Sequence, residues 1–529
     1  MDSSKIKVLL VVVFSAFAAL YLGIAAATAQ KEAIAWVLGA LTIGFVLALG
    51  KHVWVLIPIC LQLAGNISLI PGSPSPWWGA VGIVGTVFTM RFLLRTQDFQ
   101  FRLKWMDFAI LLQVIAIGQA FVRNPTGLSL LGGDIVGGKP YIIFVFSFAA
   151  YALMAVVRTD LRMVKWVVIF SVLMSLADGG LMLASVLVPP FAAAILPIYS
   201  GVSFASAYSG MEAADTSEGR LVGGKDIGKA LGLAAFTLFR PISTLNPLRP
   251  IGFLLMVGSL SLILVSGFRS ALVYVAALAV VSSLVRRKYV DLIICGTIFS
   301  LMLVGFIMTD TVQKLPFGAQ RILSVLPVNV RPGAREDADK SSEWRFEMWR
   351  LALTTDRYIS NKLLGDGFAF RADELAAMQE TAFGTARSTS KNKGQDLMMA
   401  KGSYHGFHVE AIRMTGAFGL LCALVGLGIF FRCAWTQIQY FRGRHEWPFI
   451  LYICIPFLIH PFYLMLIFGA YRMGFPEILV AASMLKLLDN IRLNELAEAR
   501  RVTANSETEQ SQARDLSHGR LPQSAMRTR

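Results

Sequence analysis

An all-α, polytopic integral membrane protein is what this 529-residue chain predicts. Of its residues, 55% are hydrophobic, and the mean hydropathy is +0.61. Only 16% are charged, against about 25% in an ordinary soluble domain. Apolar runs recur along the chain at close to the length needed to cross about 30 Å of hydrocarbon.

In chain order these runs cover approximately 6–28, 34–50, 53–70, 77–94, 106–123, 140–157, 163–188, 228–239, 251–266, 270–285, 290–308, 411–431, 447–468 and 473–488. They make about fourteen predicted transmembrane helices, the one near 228 being the weakest. The first follows Lys5 and Lys7, is too long for a signal-peptide core and lacks a convincing cleavage site, so it is expected to stay as a helix. Four regions follow: transmembrane helices with short loops over 1–308, a large polar loop over 309–410, further transmembrane helices over 411–488, and a polar tail over 489–529 that is expected to be disordered. No internal repeat and no coiled-coil heptads are evident. The five cysteines (Cys60, Cys295, Cys422, Cys433 and Cys454) lie in or beside apolar runs, so neither disulfides nor a cysteine metal site is expected.

The net charge of +16 invites a nucleic-acid reading, but the distribution argues against it. Arg91, Arg95, Arg102 and Lys104 share one connection, and Arg158, Arg162 and Lys165 share another. Then come Arg240 with Arg249, Arg286 with Arg287 and Lys288, and Arg432 with Arg442 and Arg444. With the amino terminus inside, every one of these clusters falls on the cytoplasmic side, as the positive-inside rule requires. Both termini are then cytoplasmic. The outer face receives the connections near Lys31, 71–76, 123–139, 189–229, 267–269, the loop from 309, and 469–472.

Within the large loop, 342–355 is rich in helix formers, and Arg345 and Trp349 would share one helix face. Residues 361–367 read as a turn, with Gly365 and Gly367 able to take positive φ. The stretch 381–401, rich in Ser, Thr, Gly, Lys and Ala, predicts a mobile segment.

Several residues of this outer face, and one within a membrane run, bear chemistry. Arg269 stands where two apolar runs meet, a position where a buried charge costs about 3 kcal/mol. It either snorkels to the interface or serves a ligand. Arg345 is either a solvated helix charge or a second cation of the same kind. His405 ends the loop as the chain re-enters the membrane, and its unperturbed pKa near neutrality suits proton transfer. Asp178 is an intramembrane acid, open to a functional or a helix-packing role.

The strings that carry these residues are Ser266-Gly267-Phe268-Arg269-Ser270, Trp344-Arg345-Phe346-Glu347-Met348-Trp349-Arg350, and Ser403-Tyr404-His405-Gly406, followed after nine residues by Gly416-Ala417-Phe418-Gly419. Together they resemble the O-antigen ligase and polymerase superfamily, integral membrane glycosyltransferases that consume polyprenyl-diphosphate-linked sugars. The resemblance covers roughly 220–429.

It implies a GT-C-like enzyme of the bacterial inner membrane whose outer, periplasmic loop caps a lipid-facing cavity. The donor would be an undecaprenyl-diphosphate-linked glycan, and no cofactor is implied. His405 would be the base, and Arg269 and Arg345 would hold the diphosphate. Arg220, in Gly219-Arg220-Leu221-Val222-Gly223-Gly224-Lys225, is similar to the family's arginine-and-glycine element, with Lys225 as a secondary phosphate contact. The chain departs from the pattern twice. The asparagines that usually follow Arg220 are replaced by Lys225-Asp226-Ile227, and the polar residue usual after the histidine is Gly406.

Arg472, Asp178 and His408 are further candidates. His408, three residues after His405, makes a His-x-x-His pair that with Glu410 hints at zinc, but no further ligand is spaced nearby, and Asp337 and Asp339 read as solvated. Metal-dependent enzymes of related architecture have an acidic pair in the first outer loop, where this chain offers Lys31 and Glu32. A metal-independent mechanism is therefore expected. The acceptor could be a lipid A-core sugar, another lipid-linked repeat unit or a protein hydroxyl, and the string from His405 to Gly419 tilts towards a ligase. The rival class is a transporter or flippase, against which stand the roughly hundred-residue outer loop and the lack of an inverted repeat.

Overall fold

The computed structural model describes scattered residues between 39 and 50, then 51–96 apart from 69 and 71, 99–100, 102–125, 137–196, 198–201, 223–356, 358–368, 399 and 402–517. The predicted run at 6–28, most of 34–50, and the segment 381–401 apart from Met399 lie outside the described residues.

The described chain is helical, with almost no strand. Four of its helices are long and apolar enough to cross a membrane: Trp105–Arg123, Leu161–Leu187, Phe407–Tyr440 and Trp447–Leu466. Shorter apolar helices occupy Gly50–Cys60, Lys139–Ala155, Pro250–Ser266 and Arg269–Val285. This architecture is compatible with a helical membrane protein.

Local chemistry sets the helix ends. Proline stands in the first turn of Pro76–Leu93, Lys139–Ala155, Pro250–Ser266, Pro332–Thr354 and Trp447–Leu466, where its fixed φ fits and its missing N–H costs nothing. Asp160 caps Leu161–Leu187 by accepting the Met163 N–H at 2.8 Å. Gly228 lets Gly224–Leu238 lie against Pro250–Ser266, since a Cβ there would stand 3.0 Å from the Ser259 carbonyl oxygen.

Three expectations change. The run 53–70 is not one continuous span. Its helix ends at Cys60, and Gly65–Ile67 becomes a strand paired antiparallel with Tyr199–Gly201. Tyr199 covers Gly65, where a Cβ would stand 2.1 Å from the ring, and its hydroxyl accepts the Gly65 N–H at 2.7 Å. The loop helix expected over 342–355 starts earlier, at Pro332.

The tail is the third change. The last helix runs from Tyr471 to Ser517 without stopping at 488, so the expected disorder from 489 does not hold through 517. The first polar residues past 488 are fastened to the bundle: Asp489 accepts from Gln437 at 2.9 Å, and Glu495 pairs with Arg444 at 2.7 Å.

The helix Phe407–Tyr440 is broken at Gly416, whose φ of 76° and ψ of −180° are non-helical. The turn at 361–367 plugs the break. Ala417 N–H donates to the Lys362 carbonyl at 2.8 Å and Phe418 N–H to that of Leu363 at 3.1 Å. In return Asp366 and Gly367 donate to the Arg413 and Met414 carbonyls at 2.7 and 3.1 Å. Arg123 and Asn124, at the end of Trp105–Arg123, bond the Gly365 and Asp366 carbonyls at 3.1 and 2.6 Å. Irregular backbone is tolerated inside a helical bundle only when its polar groups are satisfied in this way. The expected turn is therefore present, with Gly365 at φ 76° and Gly367 at φ 92°.

Candidate active site

The site grows from two helix ends. Pro250–Ser266 stops at Gly267, whose φ of 73° closes the helix in the left-handed conformation. Two residues later Arg269 opens the next helix, Arg269–Val285. The short loop helix Phe317–Leu323 sits on this junction, so close that a Cβ on Gly318 would stand 2.6 Å from the Val265 carbonyl oxygen. It delivers Arg321, which is 7% exposed and donates to the Gly267 carbonyl at 2.9 Å. A cation at the carbonyl end of a helix is favoured by the helix dipole.

Arg269 reaches across to the loop helix Pro332–Thr354, donating to the Ala338 carbonyl at 2.7 Å and the Ser342 hydroxyl at 3.0 Å. From that same helix comes Arg345. Its guanidinium lies 5.9 Å from the centre of the Phe468 ring, and its buried Nε has no hydrogen-bond partner among the described residues. Lys225, at the start of Gly224–Leu238, lies over Phe268 at 4.6 Å and is 4.0 Å from Asp226.

These four cations line one cavity of about 340 Å³, together with Phe268, Ser270, His405 and Phe468. Among the described residues, no carboxylate lines it. Four positive side chains gathered around one space suit a ligand with more than one negative charge, and arginine forks match phosphate oxygens in pairs.

His405 is held in the left-handed region at φ 51°, a conformation that histidine adopts more readily than most residues but still at a cost of order 1 kcal/mol or more. Its ring stacks on Phe468 at 5.9 Å and 22° and meets Trp344 edge-on at 6.1 Å. Behind it, Trp349 donates its indole N–H to the Tyr404 carbonyl at 2.8 Å. That indole occupies the space beside Gly406, where a Cβ would stand 2.7 Å from the ring. This accounts for glycine where the resemblance leads one to expect a polar side chain. Arg345 and Trp349 do divide one helix face, the arginine lining the cavity and the tryptophan backing His405.

Electrostatics follow from the enclosure. Burial first, then the positive charges of Arg345 and Lys225, pull the His405 imidazole down to about 4. It is therefore neutral near physiological pH, the state a proton acceptor needs. Burial, with Arg269 and Arg321 close by, also lowers the pKa of Arg345, although an arginine keeps its charge.

Of the residues expected from sequence, the cavity gathers His405, Arg269, Arg345 and Lys225. Arg220 lies outside the described residues. The others do not line the cavity. His408 stands edge-on to Trp349 at 4.8 Å. Asp178 accepts a hydrogen bond from Tyr199 at 2.9 Å, tying its helix to the strand pair. Arg472 lies beside Glu410. Among the described residues, no three His, Cys, Asp or Glu side chains form a group that could hold a metal ion.

Sequence reasoning missed Arg321 and Phe468. Arg321 meets a carbonyl far away in the chain and belongs to no motif. Phe468 adjoins the outer turn that held Arg472, and that proximity was the available signal.

No protein-family model matches the chain, and no curated protein matches it.

Proposed function

We propose that the protein is an inverting, metal-independent glycosyltransferase, similar to an O-antigen ligase. It transfers a glycan from undecaprenyl diphosphate to an acceptor hydroxyl at the periplasmic face of the bacterial inner membrane. The observation that carries this reading is the convergence of Arg269, Arg321, Arg345 and Lys225 with a neutral His405 on one cavity that no carboxylate among the described residues lines. About fourteen transmembrane helices in a GT-C-like arrangement, with both termini cytoplasmic, complete the proposal, supported by the alternation of basic clusters along the sequence.

The chemistry uses each part. The donor's diphosphate rests among the four cations, and the acceptor hydroxyl approaches the anomeric carbon from the opposite side. The new carbon–oxygen bond forms as the bond to the diphosphate oxygen breaks, inverting the anomeric centre. The electron pair leaves with the diphosphate, where fixed cations in an enclosed site stabilise the growing charge. The hydroxyl proton passes to an imidazole nitrogen of His405. Phe268 and Phe468 supply apolar walls beside the cations.

The test is reconstitution in lipid nanodiscs with a labelled polyprenyl-diphosphate glycan, offered either a lipid A-core acceptor or a second lipid-linked unit. The ligase reading expects inverted product on the lipid A core, formed equally well in EDTA. Polymer formed on the second unit, or turnover that needs added magnesium or manganese, would contradict it.

A further inference from the structure

Glu410 is 4% exposed, stands in the first turn of Phe407–Tyr440, and does not line the cavity. Its carboxylate accepts the N–H of Tyr471 at 2.8 Å. Tyr471 opens the long last helix, and the first N–H groups of a helix have no acceptor within it. Glu410 thus caps that helix from a neighbouring one, supplying the acceptor that its first turn lacks.

The consequence reaches His405 from two sides. The turn leading into Tyr471 carries Phe468, whose ring stacks on His405 at 5.9 Å. That turn is pressed onto the start of the other helix: a Cβ on Gly469 would stand 2.8 Å from that of Phe407. On the other side, the Glu410 carboxylate also accepts the backbone N–H of Tyr404, the residue before the histidine. One residue therefore fastens both the backbone that presents His405 and the turn that carries its stacking partner.

We propose that Glu410 is a positioning residue for His405, acting through the Tyr471 cap and the Phe468 stack. The proposal rests on the reading of His405 as proton acceptor only for its effect on turnover. Its structural content is that, without the cap, the ring of His405 loses its cover.

The experiment uses the full chain in nanodiscs and diethyl pyrocarbonate as the probe, with labelling of His405 and His408 followed by peptide mass spectrometry. Glu410→Ala is expected to raise the labelling rate of His405 by at least about fivefold, the change in a local equilibrium that loss of one helix cap entails. The rate at His408 should not change, and Glu410→Gln, which keeps an oxygen to accept the Tyr471 N–H, should restore the wild-type rate at His405. Phe468→Leu should raise His405 labelling by itself, and adding Glu410→Ala to it should raise the rate no further. This keeps the proposal testable should Glu410→Ala alone fold poorly, since Glu410→Gln and Phe468→Leu leave the cap or the backbone intact. An unchanged His405 rate in Glu410→Ala, or equal rises at His405 and His408, would overturn the proposal. Full turnover in His405→Ala would remove the proton-acceptor reading instead and leave the labelling result standing.

Discussion

Gly365 and Gly416 meet backbone to backbone: a Cβ on Gly365 would stand 2.5 Å from the Gly416 nitrogen, and one on Gly416 would stand 2.1 Å from the Leu363 carbonyl oxygen. Both have φ of 76°. Through this contact a turn of the large loop enters a helix break and satisfies it. The contact gives the first glycine of Gly416-Ala417-Phe418-Gly419 a conformational reason. Gly416→Ala combines a left-handed backbone with a clash against backbone that cannot swing away, so a loss of several kcal/mol is expected. Thermal unfolding of the purified variant should show a markedly lower Tm or no folded protein. A wild-type Tm would mean that the turn does not enter the helix break.

At Gly406 the obstacle is the Trp349 side chain, not the backbone. Gly406→Asn, which restores the polar residue expected from the resemblance, should therefore lower kcat by displacing the indole behind His405. Pairing it with Trp349→Ala should relieve the clash and recover part of the loss. If Gly406→Asn alone were faster than wild type, the tryptophan would not be filling the place of that side chain.

Much of this arrangement is legible in the sequence, and the rest fails for identifiable reasons. Helical membrane character follows from composition, and the turn at Gly365 and Gly367 follows from local backbone freedom. Arg269 stands out because charge at a membrane edge needs a reason, whereas Arg345, Lys225 and His405 stand out through the resemblance of the strings that carry them. Arg321 does not, because its partner, the Gly267 carbonyl, is separated from it by 54 positions. The strand at Gly65 is equally non-local, depending on Tyr199. Asp489 and Glu495 look like part of a disordered tail until Gln437 and Arg444 are seen beside them.

The depressed pKa of His405 fixes the direction of its pH response. With the folded value near 4 and the unfolded value near 6.5, its contribution to stability is full above 6.5 and is lost as pH falls towards 4. On the proposed function, the free protein keeps a neutral base down to acidic pH, so kcat/KM should stay flat to about pH 5 and fall below it. An anionic donor stabilises the imidazolium, so the acid limb of kcat should lie at higher pH than that of kcat/KM. Coincident limbs near 6.5 would show that His405 is not enclosed by Arg345 and Lys225.

Arginine geometry separates charge from recognition. Arg269→Lys and Arg345→Lys keep the positive charge and lose the paired hydrogen bonds, so both should weaken donor binding and slow turnover. Equilibrium binding of a labelled polyprenyl diphosphate reads the first effect. Near-normal binding in Arg269→Lys would reduce that residue to an interfacial anchor.

The most direct test of the account is the single-turnover rate of donor-saturated His405→Ala in nanodiscs. A positioned proton acceptor contributes about 10²- to 10⁴-fold, so the rate should fall within that range while donor affinity stays close to wild type. A single-turnover rate near that of the wild type would contradict the assignment of His405 as the base and, with it, the chemistry proposed for the cavity.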